Sequence, residues 1–440
     1  MHRTAGRQVL VVDDDPDFVE AMRLTLERNG YTVVSAVSGD EGLAKVRADK
    51  PDLVILDLMM PDMNGWQVCK AVREFSKVPI LILSALDSPG LVAAALDAGA
   101  DDYITKPFDF RELIARPDID IVHIATPPHW HGIMSRMAAD AGKDIWCEKP
   151  MTRTIGEGKK VVEAVRANGR VFRLNTWFRF RSQFYGLGTT VRPIKKIISS
   201  GLLGWPLKVT ISGVTGYDWK FYWSGETNLK PVTPPAELDY DLWLGPAPRK
   251  PYNPERVHSK FRGYWDYDGG GLGDMGQHYI DPVQYFLGKD DTSPVSVEVD
   301  APQQHYDAVG SWRRITYTYE DGCQIILDGE NRDRDAAYIE GPYGKIFKGF
   351  ASDIPNLADI VDSLPDPEPV ITLFTESVRT RRPFALNEMN GHRSCTIINM
   401  GVVALRLGRN LQFDPVKQVF IDDDGANALI DQPMRGEWHF

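Results

Sequence analysis

The stretch DLVILDLMMPDMNG, residues 52–65, decides the fold of the first quarter of the chain. Its first part is a short apolar run that ends at Asp57, which indicates a buried strand with an acid at its carboxyl end. Asn64-Gly65 then marks a turn, and a segment with helical periodicity follows it. The stretch therefore predicts one strand–turn–helix unit of an α/β sheet.

Similar units lie on both sides of this one and complete a parallel α/β sheet. The other predicted strands are QVLVV (8–12), TVVSA (32–36), PILILSA (79–85) and DYITKPF (102–108). They are separated by segments with helical periodicity, at 16–30, at 40–49 and in a stretch that ends at 98–100. Residues 1–116 are therefore expected to form five β/α units of a doubly wound fold.

Polar residues stand where these strands end. Asp13 and Asp14 close the first strand, Asp57 the third, Ser84 the fourth and Lys106 the fifth. In a doubly wound sheet, ligands bind at the carboxyl ends of the strands. Clustered carboxylates repel one another unless a hard cation such as Mg²⁺ neutralises them. The pattern predicts a magnesium site with Asp57 as a nucleophile and with a hydroxyl and a lysine opposite it.

Residues 1–116 resemble the receiver domain of two-component response regulators along their whole length. The matching motifs are VVDDDP (11–16), VILDLMMPDMNG (54–65), LSA (83–85) and YITKPF (103–108). The resemblance implies phosphorylation by a histidine kinase or a phosphotransfer protein. It further implies the following roles: Asp57 as phospho-acceptor; Asp13, Asp14 and Asp57 as Mg²⁺ ligands; Ser84 as hydroxyl switch; Tyr103 as its aromatic partner; Lys106 as phosphate-sensing cation. The last helix departs from the family because Pro117 ends it early.

A different pattern begins at Pro117. Residues 117–176 read as half of a Rossmann unit, with strands at 118–127, 144–150 and 170–175. Residues 177–440 predict an α/β domain with a large open, mainly antiparallel sheet. This domain includes an irregular Pro-rich excursion at 231–254 and a helix near 390–407; its clearest strands are VSVEVDAP (295–302), RRITYTYE (313–320) and CQIILDG (323–329).

From Pro117 onward the chain resembles the Gfo/Idh/MocA oxidoreductases. IATPPHWH (124–131), AGKDIWCEKP (141–150) and WDYDGGGLGDMGQHYIDPVQYFLG (265–288) occur in the order and spacing of that family. The resemblance implies an NAD(P)-dependent enzyme that acts on a sugar or polyol. It assigns Lys149 as general acid/base, Asp274 and His278 beside the substrate, and Glu148, Thr126 and Pro127 on the nicotinamide side. Asp274 and His278, four residues apart, would share one face of a helix.

The part of that family that holds the dinucleotide pyrophosphate is missing. A strand, a Gly-rich turn and a helix normally form this cradle, but the first 116 residues stand in their place. The string Gly271-Leu-Gly273-Asp-Met-Gly276 lies deep in the second half, without a preceding strand, and is a weak match. The acidic turn at Asp13 and Asp14 would repel a pyrophosphate. We therefore expect weak or absent dinucleotide binding.

The bulk properties exclude several classes of protein. A net charge of -11 over 440 residues argues against nucleic-acid and anionic-membrane binding. The four cysteines lie far apart, which gives no disulfide framework and no zinc site. We find no signal peptide and no apolar run of membrane-spanning length, so we expect a cytoplasmic protein. His129 and His131 have no metal-ligand partner beside them, which favours a structural role. A homo-oligomer formed through the C-terminal sheet stays open.

Three functions remain open at this point. The first is a signalling protein whose receiver controls an oxidoreductase-derived output region. The second is an NAD(P)-dependent oxidoreductase under phosphorylation control, and the third is a fusion in which only the receiver chemistry works. Two architectures also remain open: one continuous parallel sheet, with strand 119–125 beside the fifth receiver strand, or two independent domains.

Overall fold

The computed structural model describes residues 7–14, 19–20, 22–23, 26–27, 31–58, 60, 63–84, 94–95, 97–105, 110–176, 179, 188–211, 223–236, 238–330, 335–436 and 438–439. The chain divides into two compact units, Met1–Leu113 and Ile114–Phe440. Much of the predicted helix at 16–30, and Lys106 with it, lies outside the described residues. Within those residues, no helix is long and apolar enough to cross a membrane.

The first unit contains a five-stranded parallel sheet with the order β2-β1-β3-β4-β5. Alternate residues of β1 point into two apolar clusters, one on each face of the sheet. A parallel sheet covered on both faces has the near-continuous apolar strands that the sequence displays. The strands are β1 (Gln8–Val12), β2 (Thr32–Ala36), β3 (Leu53–Asp57), β4 (Ile80–Ser84) and β5 (Asp102–Thr105).

Side-chain caps fix the start of two helices in this unit. At the start of α1 (Gly39–Asp49), the Ser38 hydroxyl accepts a hydrogen bond from the Glu41 N–H. In α2 (Gly65–Arg73), Asn64 and Gln67 form a reciprocal capping box. Such caps satisfy N–H groups that have no partner inside the helix. The short helix α3 (Phe110–Ala115) follows β5 and ends before Pro117, because proline disfavours a helical conformation in the residue before it.

The second unit begins with a three-stranded parallel sheet, β6-β7-β8, flanked by two helices. Its elements are β6 (Ile121–Ile124), α4 (Pro128–Asp140), β7 (Asp144–Glu148), α5 (Ile155–Ala167) and β8 (Phe172–Asn175). This is the predicted half of a Rossmann sheet, with shorter strands than expected. Among the described strands, β5 and β6 belong to separate sheets, so of the two architectures left open the continuous sheet is not observed; the six-residue α3 ends at Ala115 and an irregular segment leads into β6.

An eight-stranded sheet forms the rest of the second unit, with the order β14-β13-β9-β12-β11-β10-β15-β16. Only β9 and β12 pair in parallel, so the predicted mainly antiparallel sheet is confirmed. The strands are β9 (Lys208–Ile211), β10 (Ser296–Asp300), β11 (Arg314–Thr318), β12 (Gln324–Asp328), β13 (Ile339–Gly341), β14 (Gly344–Ile346), β15 (Leu411–Asp414) and β16 (Val419–Phe420).

Helices pack on this sheet around the largest apolar core of the chain. The core contains Val283 and Phe286 of one helix and Ile397 and Val403 of another, all buried. The predicted C-terminal helix is present, together with shorter helices that the sequence reading did not specify. The helices are α6 (Val191–Ser199), α7 (Tyr240–Leu244), α8 (Gly270–Leu287), α9 (Leu357–Ser363), α10 (Phe374–Thr380), α11 (Glu388–Leu407) and α12 (Asp424–Asn427).

Candidate functional sites in the two units

The first candidate site lies at the carboxyl edge of the five-stranded sheet. Val12 pairs with Leu56, so Asp13 and Asp57 stand level on neighbouring strands. Both are buried, at 4% and 7% exposure, whereas Asp14 is exposed. Since Asp57 pairs with Leu83, Ser84 reaches the same edge one residue later. Two buried carboxylates side by side favour binding of a cation between them.

The register places the backbones of Asp13, Asp57 and Ser84 at this edge, whereas Tyr103 pairs with Ile82, two residues before Ser84. The side chains of Ser84 and Tyr103 and the whole of Lys106 lie outside the described part. Oxygen ligands of this kind suit Mg²⁺. Among the described residues, however, no group of three His, Cys, Asp or Glu side chains stands close enough to hold a metal ion. Asp13 and Asp57 are the two described buried carboxylates at this edge, and their oxygen atoms are of the type that Mg²⁺ prefers; their role as Mg²⁺ ligands stays a prediction.

A glycine lets helix α2 approach this edge. A Cβ atom on Gly65 would lie 2.5 Å from the Asp57 carbonyl oxygen and 2.8 Å from the Leu58 Cα. Gly65 N–H also donates to the Leu58 carbonyl at 3.1 Å. The Asn64-Gly65 pair in the sequence thus has a structural reason, because only glycine permits this close contact.

The second candidate site joins β7 to helix α8 inside the second unit. Lys149 directly follows β7, and its Nζ donates to Asp274 Oδ1 at 2.8 Å and to the Asp274 carbonyl at 2.6 Å. Asp274 and His278 are one turn apart on α8, as predicted. The three residues that the family resemblance implies are therefore brought together by two elements far apart in sequence.

Cations hold Asp274 in its charged form. Besides Lys149, Arg262 Nε donates to Asp274 Oδ1 at 2.9 Å and Trp223 Nε1 donates to Oδ2 at 3.2 Å. Burial opposes ionisation of this carboxyl, but the charges of Lys149 and Arg262 outweigh it and lower its pKa. Burial and the Lys149 charge lower the pKa of His278 to about 3, so this ring is neutral at physiological pH.

Glu148 occupies the end of β7 beside the neighbouring strand. Its Oε1 accepts a hydrogen bond from Asn175 Nδ2 at 2.6 Å and lies 3.4 Å from His123 Nε2. Burial opposes the charged form, but these two partners lower the pKa of Glu148. The carboxylate is therefore charged and fixed at the edge of the three-stranded sheet.

His131 connects the turn after β6 to the turn after β7. Its two ring nitrogens lie 2.7 Å from the Thr126 and Pro150 carbonyl oxygens. His129 Nε2 lies 2.9 Å from the Trp243 carbonyl. Both histidines are buried against backbone groups, in agreement with the structural role that the sequence indicated. Pro127, on the predicted nicotinamide side, is the N-cap of α4.

Three polar residues of this site escaped the sequence reading. Arg262 and Trp223 hold Asp274, and Asp268 is a second buried carboxyl just before α8. Arg262 also lies over the Trp223 ring, with 4.8 Å between the guanidinium carbon and the ring centroid. Asp268 belongs to the quoted motif and so could have been noticed; nothing in the sequence distinguishes Arg262 or Trp223 from surface residues.

The described residues fit a nicotinamide dinucleotide at one end only. Thr126 and Glu148 stand at the carboxyl edge of the three-stranded sheet, where such a ring would lie. The string from Gly271 to Gly276 lies inside α8 and is not a strand-to-helix turn. Among the described residues, the turn after β1 presents Asp13 and Asp14 in place of a Gly-rich cradle. A pyrophosphate therefore finds no matching site in the described part.

Comparison with known proteins matches each segment separately. The family model "Response regulator receiver domain" matches residues 9–118. "Oxidoreductase family, NAD-binding Rossmann fold" matches residues 83–176 and "Oxidoreductase family, C-terminal alpha/beta domain" matches 187–440, more than half of the chain. The first two matches overlap over 83–118, so the segment around the junction satisfies both descriptions.

The curated relatives match the first segment. The response regulator MprA of Mycolicibacterium vanbaalenii is 40% identical over 161 residues, 36% of this chain and 67% of the relative. The alkaline phosphatase synthesis transcriptional regulatory protein PhoP of Bacillus subtilis is 45% identical over 112 residues, 25% of this chain and 47% of the relative. The chain thus spans between about half and two thirds of these relatives.

Two solved structures represent the two kinds of neighbour. The BeF3-activated N-terminal receiver domain of Klebsiella pneumoniae RstA is 34% identical, with a TM-score of 0.24, and covers 25% of this chain and 94% of its own. The WlbA dehydrogenase of Bordetella pertussis, solved with NADH and UDP-GlcNAcA, is 17% identical, with a TM-score of 0.45. The match covers 82% of this chain and 99% of the dehydrogenase chain. The family models show that the chain belongs to the Gfo/Idh/MocA oxidoreductase family and carries a response-regulator receiver domain at its N-terminal end.

Proposed function

We propose that the chain is a phosphotransfer signalling protein that accepts a phosphoryl group on Asp57. The donor would be a histidine kinase or a phosphotransfer protein, and the oxidoreductase-derived second unit would form the output region. The observation that carries this proposal is the strand register, which sets Asp57 level with the buried Asp13 at the carboxyl edge of the sheet. This is the edge at which α/β sheets bind ligands.

The step is a displacement at phosphorus. A carboxylate oxygen of Asp57 attacks, the bond from phosphorus to the donor breaks, and an acyl phosphate forms. Mg²⁺, held by Asp13 and Asp57 with Asp14 beside them, would neutralise charge on the transferred group. By resemblance, Lys106 and Ser84 would contact the phosphoryl oxygens.

Acetyl phosphate with Mg²⁺ tests this proposal without knowledge of the natural kinase. Intact-mass measurement should detect one added phosphoryl group on the wild type and none on Asp57→Asn. Asp49→Asn is the matched control, because Asp49 is an exposed aspartate at the end of α1 in the same unit. Equal labelling of wild type and Asp57→Asn would remove Asp57 as the acceptor.

A second function, hydride-transfer chemistry on a sugar or polyol, rests on a different observation. Lys149 Nζ lies 2.8 Å from Asp274 Oδ1, with the neutral ring of His278 one helical turn away. A lysine held in this way can exchange a proton with a ligand hydroxyl, and His278 can donate to or accept from the same ligand. A nicotinamide dinucleotide would supply the hydride acceptor.

Turnover with a panel of sugars and polyols at millimolar NAD(P) tests this second function. Lys149→Met should abolish turnover, because it removes the proton-exchanging group. Lys160→Met is the control, since Lys160 is a half-exposed lysine on α5 that pairs with Asp431 at 3.2 Å. Equal turnover in the wild type and in Lys149→Met would exclude Lys149 as the acid/base.

A further inference from the structure

The carboxyl group of Asp268 lies against the first turn of helix α8. Asp268 is 6% exposed and immediately precedes Gly269, the N-cap residue of α8. Its Oδ1 accepts the Gly269 N–H at 2.9 Å. A Cβ atom on Gly273 would lie 2.1 Å from the same oxygen. The carboxyl group is therefore held against the helix start, six residues before Asp274 in the sequence.

The second oxygen of this carboxyl has no hydrogen-bond partner in the part of the chain that the structure describes. Oδ2 of Asp268 is also out of reach of solvent. A buried carboxylate with an unsatisfied oxygen is costly, and such a group lowers the cost by taking up a proton. Asp268 differs in this respect from Asp274, whose oxygens accept bonds from Lys149, Arg262 and Trp223.

The charges around Asp268 act in the same direction as its burial. The like charge that acts on Asp268 is that of Asp274 on α8, and the opposing cations are Lys149, directly after β7, and Arg262, in the segment before α8. Both cations bond directly to Asp274, so they compensate that carboxylate first. Burial and the Asp274 charge raise the pKa of Asp268 to about 8, against the opposing effect of Lys149 and Arg262.

We propose that Asp268 is a carboxylic acid at neutral pH and serves as a proton-holding positioning residue beside the Lys149–Asp274 pair. Asp274 stays ionised between Lys149 and Arg262, so the two carboxyl groups carry one proton in total, and Asp268 holds it. Its use in turnover rests on the second function proposed above, but the proton itself is a property of the unliganded protein.

Proton linkage tests the proposal without a substrate. Between about pH 5.5 and 7 an unfolded aspartate, with a pKa of about 3.9, has lost its proton. If folded Asp268 keeps its proton in this window, unfolding releases it, and stability falls as the pH rises towards the folded pKa. Asp268→Asn keeps the shape of the acid but has no proton to release. The variant should therefore release about one proton fewer on unfolding.

The measurement is the pH dependence of the unfolding free energy of wild type and Asp268→Asn by urea titration. Asp307→Asn is the control. Asp307 is also a buried aspartate, but Arg256 and Lys250 lower its pKa despite its burial. Its replacement should therefore leave the number of protons released on unfolding unchanged. An equal proton count in wild type and Asp268→Asn overturns the proposal.

Infrared spectroscopy covers the case in which Asp268→Asn does not fold. The folded wild type at neutral pH should contain a protonated-carboxyl band that disappears as the pH rises through about 8. Absence of that band also overturns the proposal. Failure of Asp57 phosphorylation or of polyol turnover would leave both measurements unaffected, so the three results are distinguishable.

Discussion

Replacing Arg179 by methionine should destabilise the second unit strongly. The Arg179 side chain is 1% exposed, and its Nε and Nη2 donate to Asp281 Oδ2 and Oδ1 at 2.8 and 3.0 Å. The same guanidinium donates to Asp290 at 2.6 and 2.9 Å. Asp281 lies on α8, the helix that carries Asp274 and His278. The variant therefore removes the charge that compensates an acid on the site's own helix.

The magnitude follows from what is left behind. Asp281 is 0% exposed, and without Arg179 it would keep, among the described residues, the hydrogen bond from the Thr176 hydroxyl at 3.2 Å. Leaving one charge of a buried pair uncompensated costs about 3–5 kcal/mol. Burial already raises the pKa of Asp281 against the effect of Arg179. Removing Arg179 raises it further, so the folded variant binds a proton and loses more stability as the pH rises.

Urea denaturation followed by tryptophan fluorescence measures this loss. Trp66 is the one tryptophan of eleven that precedes Ile114, so the signal reports mainly on the second unit. Arg166→Met is the control, because Arg166 is 57% exposed and pairs with Glu388 at 3.0 Å. An exposed pair contributes about 0–1 kcal/mol. A loss for Arg179→Met no larger than that of the control would refute the reasoning.

Three further results are expected. Mg²⁺ should raise the melting temperature of wild type more than that of Asp14→Ala, because a cation that binds only the folded protein stabilises the folded state. Thermal denaturation with and without Mg²⁺ measures the two shifts. Calorimetry should find millimolar NAD(P)H binding, since losing about 4 kcal/mol of pyrophosphate contacts weakens a micromolar site roughly a thousandfold. Gly65→Ala should slow labelling of Asp57 by acetyl phosphate, because the added Cβ would lie 2.5 Å from the Asp57 carbonyl.

Each of these results has a clear contrary outcome. Identical Mg²⁺ shifts in the two proteins would mean that Asp14 does not contribute to a metal site. A dissociation constant in the low micromolar range would show that dinucleotide binding does not need the missing cradle. Gly425→Ala is the control for Gly65→Ala, because a Cβ there would approach only side-chain ends, Arg409 Nη2 at 3.3 Å and Asp423 Oδ1 at 3.6 Å. Unchanged labelling in Gly65→Ala would contradict the steric argument.

The first unit could be read almost completely from its sequence. Strands such as β1 and β3 are buried on both faces and are therefore apolar along almost their whole length. Such short apolar runs are easily recognised between the helical segments. Polar residues stand at or directly after the ends of β1, β3 and β4, so the level position of Asp13 and Asp57 followed from the parallel arrangement of the strands. The doubly wound fold and the receiver assignment are confirmed.

The second site could be read only in part. Lys149, Asp274 and His278 stand in motifs, and the helix that aligns the last two has the expected spacing. Arg262 and Trp223 come from irregular segments, and their contacts with Asp274 depend on tertiary packing that no local pattern encodes. The sequence left the connection between β5 and β6 open because a short helix before a strand is compatible with one sheet or with two.

Helix α8 has an unusual composition for the element that carries the second site. Five of its first seven residues are glycine or aspartate, and glycine disfavours an isolated helix by about 1 kcal/mol per residue relative to alanine. Its helicity must therefore come from packing against its neighbours, including α11, where a Cβ atom on Gly276 would lie 3.3 Å from Ile398 Cγ1. A peptide of this segment alone would be a random coil in water. The alignment of Asp274 with His278 is thus a property of the assembled core and should vanish cooperatively with it.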